Sequence, residues 1–220
     1  DNLVTTSGTL SSVSQLAVVG TSGNDTVINT GDIYGNVRLG GGNNQLLNRE
    51  GGMFMAATDL QLRTDPAAIG LFQNDGLLLM GLGGPQRPIN LAAGEIYATF
   101  DSAGDPRENL LYGARVVTQT KLDGDFVQTD TGHMVFDVAF GPYASDTIQA
   151  TGDISVDGTL DVTLAWLENA NPYLLIGTDA GRTVTDHGLE VADTIAMDYR
   201  ILSTSRGIEL AFTSHFDQLF

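Results

Sequence analysis

The chain has 220 residues, no cysteine, 10 Lys and Arg against 27 Asp and Glu, and a formal net charge of -17. One sizeable core fits that length without a second domain, and the charge excludes phosphate backbones and anionic lipid surfaces as partners, so no nucleic acid is expected. Without cysteine there is neither a disulfide framework nor a thiolate metal site, and the acidity suits a soluble, secreted or surface-exposed protein.

In chain order the apolar runs are short and broken by Gly, Asn and Asp: QLAVV (15–19), DTVIN (25–29), GNVRLG (35–40), QLLN (45–48), GLLLMGL (76–82), EIYATF (95–100), ARVVTQT (114–120), HMVFDVAF (133–140), GTLDVTLAW (158–166), PYLLIG (172–177) and GIELAF (207–212). Hardly any segment has the i, i+3, i+4 spacing of an amphipathic helix, so the fold class is all-β. RTDPAAIG (63–70), GGPQRPIN (83–90) and DSAGDPREN (101–109) interrupt the rhythm and read as protruding loops. DYRILSTSRGIELAF (198–212) predicts an antiparallel hairpin turning at 204–207, with Ile208, Leu210 and Phe212 on one face.

Two segments share a frame. SGNDTVINTGDIYGNVRL (22–39) and ASDTIQATGDISVDGTLDVTL (144–164) align Asp25-Thr26 with Asp146-Thr147 and Thr30–Ile33 with Thr151–Ile154. Stacked coils of a single-stranded parallel β-helix would produce such repetition, each coil burying its inward side chains on its neighbours. The hairpin would then cap the last coil, whose open edge would otherwise invite end-to-end association.

GTSGNDTVI (20–28) matches the calcium-binding nonapeptide G-G-x-G-x-D-x-U-x except at Thr21. A calcium roll needs tandem copies, and the next similar segment, LGGGNNQLL (39–47), begins too far downstream and carries Asn44 in the aspartate position. The expected reading is a coil corner, with an RTX-type calcium module as the alternative.

Catalytic signals are thin. His133, His187 and His215 are widely separated, and GTSGN (20–24) has no second motif to complete a Ser-His-Asp site. A pectate-lyase-like β-helix is the enzymatic alternative. KLDGD (121–125) would put Lys121, Asp123 and Asp125 on one face if it were a strand, although Asp-Gly-Asp suits a turn better.

The run GDFVQTDTGHMVFDVAFGPYASDTIQATGDISVDGTLDVTLAW (124–166), followed by NPYLLIGTDAG (171–181) and the hairpin, resembles the junction region of bacterial pertactin-like autotransporter passengers, often called the autochaperone. The matching positions are Phe126, Gln128, Thr129, Ser145, Asp146, Gly158, Thr159, Leu160, Val162 and Leu164, and GNDTVINTGDIYGNVRLGGGNN (23–44) resembles the coils of the same passengers. The resemblance implies a right-handed β-helix, coils over 1–120 continuous with a C-terminal coil-and-cap region over 121–220, and no enzymatic activity or cofactor. It implies type V secretion across the outer membrane of a Gram-negative bacterium, with the chain's own outer-membrane β-barrel as partner. It further implies a monomeric stalk at the cell surface, an adhesin of the virulence-associated kind with host-cell or glycan ligands. The folding nucleus would be Phe126, Leu160, Val162, Leu164, Trp166, Tyr173, Leu175 and Ile176, joined by Ile208, Leu210 and Phe212 of the hairpin.

Overall fold

The computed structural model of the chain describes residues 1–80, 119–139, 145–166, 172–194 and 197–215. Among them every helical or extended element is a β-strand, so the chain is all-β. EIYATF, the loops at 83–90 and 101–109, and most of ARVVTQT lie outside the described residues.

The strands form two sheets. A seven-stranded sheet contains, in spatial order and all parallel, β1 (Asn2–Thr6), β3 (Asp25–Asn29), β5 (Asn44–Asn48), β7 (Gly70–Asn74), β10 (Asp125–Gln128), β13 (Ile154–Val156) and β16 (Val184–Asp186). A twelve-stranded sheet contains β2 (Thr9–Val19), β4 (Asp32–Arg38), β6 (Met53–Gln61), β8 (Leu77–Met80), β9 (Gln119–Asp123), β11 (His133–Ala139), β12 (Thr147–Ala150), β14 (Thr159–Trp166), β15 (Tyr173–Thr178), β17 (Glu190–Val191), β18 (Met197–Thr204) and β19 (Gly207–Ser214). This second sheet is mixed: β19 runs antiparallel to both β15 and β18, while the other pairings are parallel. It divides at β6, whose residues 53–56 pair with β8 and whose residues 59–61 pair with β9. After each strand of the first sheet but the last the described chain visits the second sheet and then returns beside the strand it left; after β16 it stays in the second sheet.

The register stacks like on like. In the first sheet Val4, Val27, Leu46, Phe72, Phe126, Ile154 and Val184 are consecutive partners. In the second, Leu10, Ile33, Phe54, Leu78, Met134, Leu160 and Val191 are. Except for the exposed Val4, the two rows meet in one apolar core, where Phe72 touches Phe54 edge-on at a centroid distance of 5.3 Å and Phe126 at 5.5 Å. A second buried cluster, Tyr34, Met53, Met55, Ala57, Leu79 and Val135, is made by the alternate residues of β4, β6, β8 and β11. Burial on both faces explains why MFMAA and LLLM read as continuous apolar runs instead of alternating ones.

The shared frame seen in the sequence is local and does not mark equivalent rungs. Asp25-Thr26 opens β3 in the seven-stranded sheet, whereas Asp146-Thr147 leads into β12 in the twelve-stranded one. What the two segments share is a Thr-Gly corner. The Thr30 N–H donates to the Thr6 carbonyl at 2.9 Å and the Thr151 N–H to the Leu122 carbonyl at 3.0 Å. Glycine follows because a Cβ at Gly31 would meet the Gly8 carbonyl oxygen at 2.3 Å, and one at Gly152 that of Gly124 at 2.6 Å.

Where strands of the first sheet end, a buried amide ladder ties the rungs together. The partners Asn29, Asn48, Asn74 and Gln128 are at most 1% exposed. Asn29 Nδ2 donates to Asn48 Oδ1 at 2.7 Å, Asn48 Nδ2 to Asn74 Oδ1 at 2.7 Å, and Asn74 Nδ2 to Gln128 Oε1 at 2.9 Å. Each amide also donates to the first carbonyl of the next rung's strand in the second sheet: Asn29 to Met53, Asn48 to Leu77, Asn74 to His133 and Gln128 to Thr159. Gln128 ends the series on the Asp157 carbonyl at 2.8 Å.

Replacing Asn48 by Ala leaves the Asn29 donor, the Asn74 acceptor and the Leu77 carbonyl without their partner. Asn48→Ala should therefore cost about 3 kcal/mol in urea unfolding, since each orphaned buried group costs about 1–3 kcal/mol. Gln45→Ala, on the outward side of the same strand, should stay within about 0.5 kcal/mol. Equal effects at the two positions would contradict the ladder.

Candidate functional site

The nonapeptide segment forms the corner that leads into β3. Asp25 is 3% exposed, and its carboxylate is ringed by donors. The Thr21 backbone N–H reaches Oδ2 at 2.6 Å, while the Asn2 backbone N–H and Nδ2 reach Oδ1 at 3.0 and 2.6 Å. The Thr21 N–H is the main influence holding this carboxyl below its ordinary 3.8; burial opposes it, and the Asn2 donors and the Thr21 hydroxyl add to it. Asn44, in the aspartate position of the downstream segment, uses Oδ1 to accept the Asp25 N–H at 2.6 Å and Nδ2 to donate to the Leu62 carbonyl at 2.6 Å. A carboxylate there would have no N–H for Leu62. Among the described residues no group of three or more His, Asp and Glu side chains is arranged to hold a metal ion.

The three residues of KLDGD do not share a face. Lys121 and Asp123 are on β9, with Lys121 Nζ 3.4 Å from Asp123 Oδ1. The chain then turns at Gly124, where φ is +157°, and Asp125 opens β10 in the other sheet. Its Oδ1 accepts the Asp153 N–H at 2.9 Å. The one-strand geometry that a lyase reading requires is therefore replaced by a corner.

The histidines stay apart. His133 begins β11 and pairs with Asp161 at 2.9 Å, and His215 follows β19 and pairs with Asp198 at 2.7 Å. His187 is in the turn after β16, where its backbone N–H donates to the Val156 carbonyl. In the loop at 63–70, Arg63 Nη1 donates to the Ala68 carbonyl at 2.8 Å and Nη2 to Thr151 Oγ1 at 3.2 Å, tying the loop to a distant rung.

The residues singled out as a folding nucleus occupy the C-terminal rungs. Phe126, Leu160, Tyr173, Leu175, Ile176, Ile208 and Leu210 are buried in the main core, and Val162 and Phe212 pack against it partly buried. Leu164 and Trp166 close β14, and their side chains lie outside the described residues. The hairpin of β18 and β19 turns at Ser205 and Arg206, with the Thr204 hydroxyl donating to the Gly207 carbonyl at 3.1 Å. β19 then pairs antiparallel with β15, and Phe212 stacks on Tyr173 at 6.1 Å. Gly207 permits this closure, because its φ is +148° and any Cβ would run into the Ile176 carbonyl oxygen. Tyr199 packs its ring into the core, and burial, with the Asp193 charge second, pushes its phenol up to about 12.

Sequence reasoning missed the amide ladder. Its signal is an Asn or Gln at the end of an apolar strand with a glycine shortly after, as in VINTG, LLNREGG, FQNDG and FVQTDTG. Comparison with known proteins returns no match: no family model, no curated protein and no solved structure matches the chain.

Asp25 supplies a pH-dependent prediction. A carboxyl lowered by folding contributes stability in full above its unfolded value of 3.8 and loses it as pH falls through the lower folded value. Asp25→Ala should therefore be less stable than the parent at neutral pH, with the gap shrinking as pH falls from 3.8 toward the lower folded value. Calcium and chelator should give the same melting temperature, because the carboxylate oxygens already hold N–H donors. A pH-independent gap, or a calcium-induced rise of many degrees, would contradict the corner assignment.

Proposed function

We propose that the chain is a right-handed, single-stranded parallel β-helix that serves as the C-terminal part of a bacterial autotransporter passenger. Its local task is to fold first outside the cell during type V secretion, and then to stand as a rigid stem on the Gram-negative surface. The observation that carries this reading is the asymmetric end: a stack of parallel rungs whose last edge, β15, is closed by an antiparallel hairpin over buried Ile208 and Leu210.

The physics of a stack supports the task. Each rung touches only its neighbours, so one stable terminal unit nucleates and the rest grows upon it. The region over 121–220 offers such a unit, with Phe126, Leu160, Val162, Tyr173, Leu175 and Ile176 in contact with one core and the hairpin laid across its end. Lack of cysteine suits a chain that must stay unfolded through an oxidising compartment. On this reading the partner in secretion is the protein's own outer-membrane β-barrel, and an adhesive role toward host cells or glycans belongs to the displayed passenger.

The order of folding tests the proposal. In pulse-labelled hydrogen exchange during refolding, amides of β12, β15 and β19 should gain protection before those of β1, β3 and β5. Leu175→Ala should slow refolding, whereas Leu46→Ala should mainly speed unfolding. Protection that begins in β1 and β3, or equal refolding rates for the two variants, would defeat the reading.

A further inference from the structure

The chain contains three Asp-Gly bonds, at 75–76, 123–124 and 157–158. Two of them are committed to other partners. At the first, the Asp75 carboxylate holds Gln73, Arg49 and Thr129, and the Gly76 N–H donates to the Asn48 carbonyl at 3.1 Å. At the second, Asp123 pairs with Lys121, and the Gly124 N–H is shared between the Leu122 carbonyl and Thr151 Oγ1, both at 3.1 Å. Gly76 and Gly124 are both buried.

The third bond is placed differently. Asp157 and Gly158 are the link between β13 and β14, and both are only half-buried. Among the described residues the Gly158 N–H donates to no carbonyl; it lies against the Asp157 carboxylate, 2.8 Å from Oδ1, and that carboxylate takes no other donor. Glycine is required here, because φ is +76° and a Cβ would meet the Gly132 carbonyl oxygen at 2.4 Å. Its missing side chain leaves the amide nitrogen unshielded beside the acid.

We propose that Asp157 is a site of spontaneous isomerisation to isoaspartate. With the side chain in its acid form, the Gly158 nitrogen bonds to Asp157 Cγ and gives up its proton, and the carboxyl hydroxyl departs with that proton as water, closing a succinimide. Water then adds to either ring carbonyl and breaks its bond to the nitrogen. Opening at the main-chain carbonyl leaves the chain running through Cβ and Cγ, with the former carbonyl as a free carboxylate and the mass unchanged. The product alters the end of the amide ladder. Gln128 Nε2 donates to the Asp157 carbonyl at 2.8 Å and to the Thr159 carbonyl at 3.3 Å. A link one carbon longer moves these two acceptors apart and loosens β14 against β11, where Thr159 pairs with His133. The inference does not rest on the secretion reading.

Ageing the folded 220-residue chain at physiological temperature and pH, then mapping its peptides for isoaspartate, tests it. The product should accumulate at 157 about tenfold faster than at 75 or 123, whose glycine N–H groups must first leave their acceptors. In the urea-unfolded chain the three bonds should react at similar rates. Asp157→Glu keeps the charge but would have to close a larger, slower-forming ring, so it should abolish the product at this link with an unchanged circular dichroism spectrum. No isoaspartate at 157 in the folded chain, equal accumulation at the three bonds there, or the same preference for 157 in the unfolded chain would each overturn the proposal.

Discussion

A buried primary amide has two N–H donors and one acceptor oxygen, and in this protein each inner amide divides them in the same way. One donor runs along the stack to the next amide, and the other crosses to the carbonyl that opens the following strand of the second sheet. Apolar contact alone is non-directional, so rows of Val, Leu and Phe would tolerate a slip of one rung or a shift of one sheet against the other. The amides do not tolerate it, because a slip strands donors and acceptors away from water. Register between rungs and register between sheets are thus fixed by the same four side chains. The aromatic contacts at Phe54, Phe72 and Phe126 rest on the alignment so imposed.

The amide series ends at Gln128 on a backbone carbonyl, and at other corners carboxylates accept the turn's N–H groups, as Asp25 does for the turn ahead of β3. Asp125 accepts the Asp153 N–H, and Asp153 in turn accepts the Thr183 N–H at 2.8 Å. Asp146 accepts from Asp137, Asp186 from Gly188 and Leu189, and Asp193 from Tyr199. Part of the chain's acidity is therefore corner chemistry. Aspartate serves there because its short side chain reaches a neighbouring N–H that a turn would otherwise leave unpaired.

Strands such as 25–29, 133–139, 173–178 and 207–214 were legible in the sequence because apolar runs bounded by Gly, Asn and Asp admit little else, whereas β1, β6 and β7 were not singled out. The terminal hairpin was legible because Ile208, Leu210 and Phe212 alternate with the small or polar residues Glu209 and Ala211 behind the turn at 204–207. The amide ladder was not legible, and the reason is spacing: its members stand 19, 26 and 54 residues apart, so no fixed period points to them. The apparent repeat misled for a related reason. Thr30-Gly31 and Thr151-Gly152 solve the same local problem at corners that enter different sheets. Asn44 was expected to suit a corner better than a metal site, and its contact with the Leu62 carbonyl gives the physical ground: it needs a donor, which aspartate lacks.

Exchange of the side-chain amide protons tests the ladder most directly. The Nδ2 protons of Asn29, Asn48 and Asn74 and the Nε2 protons of Gln128 should exchange with solvent deuterium only through global unfolding, at the rate of the best-protected backbone amides. Exchange at the rate of exposed amides such as that of Asn43 would mean that the side chains are not locked rung to rung, and that something else sets the register of the two sheets.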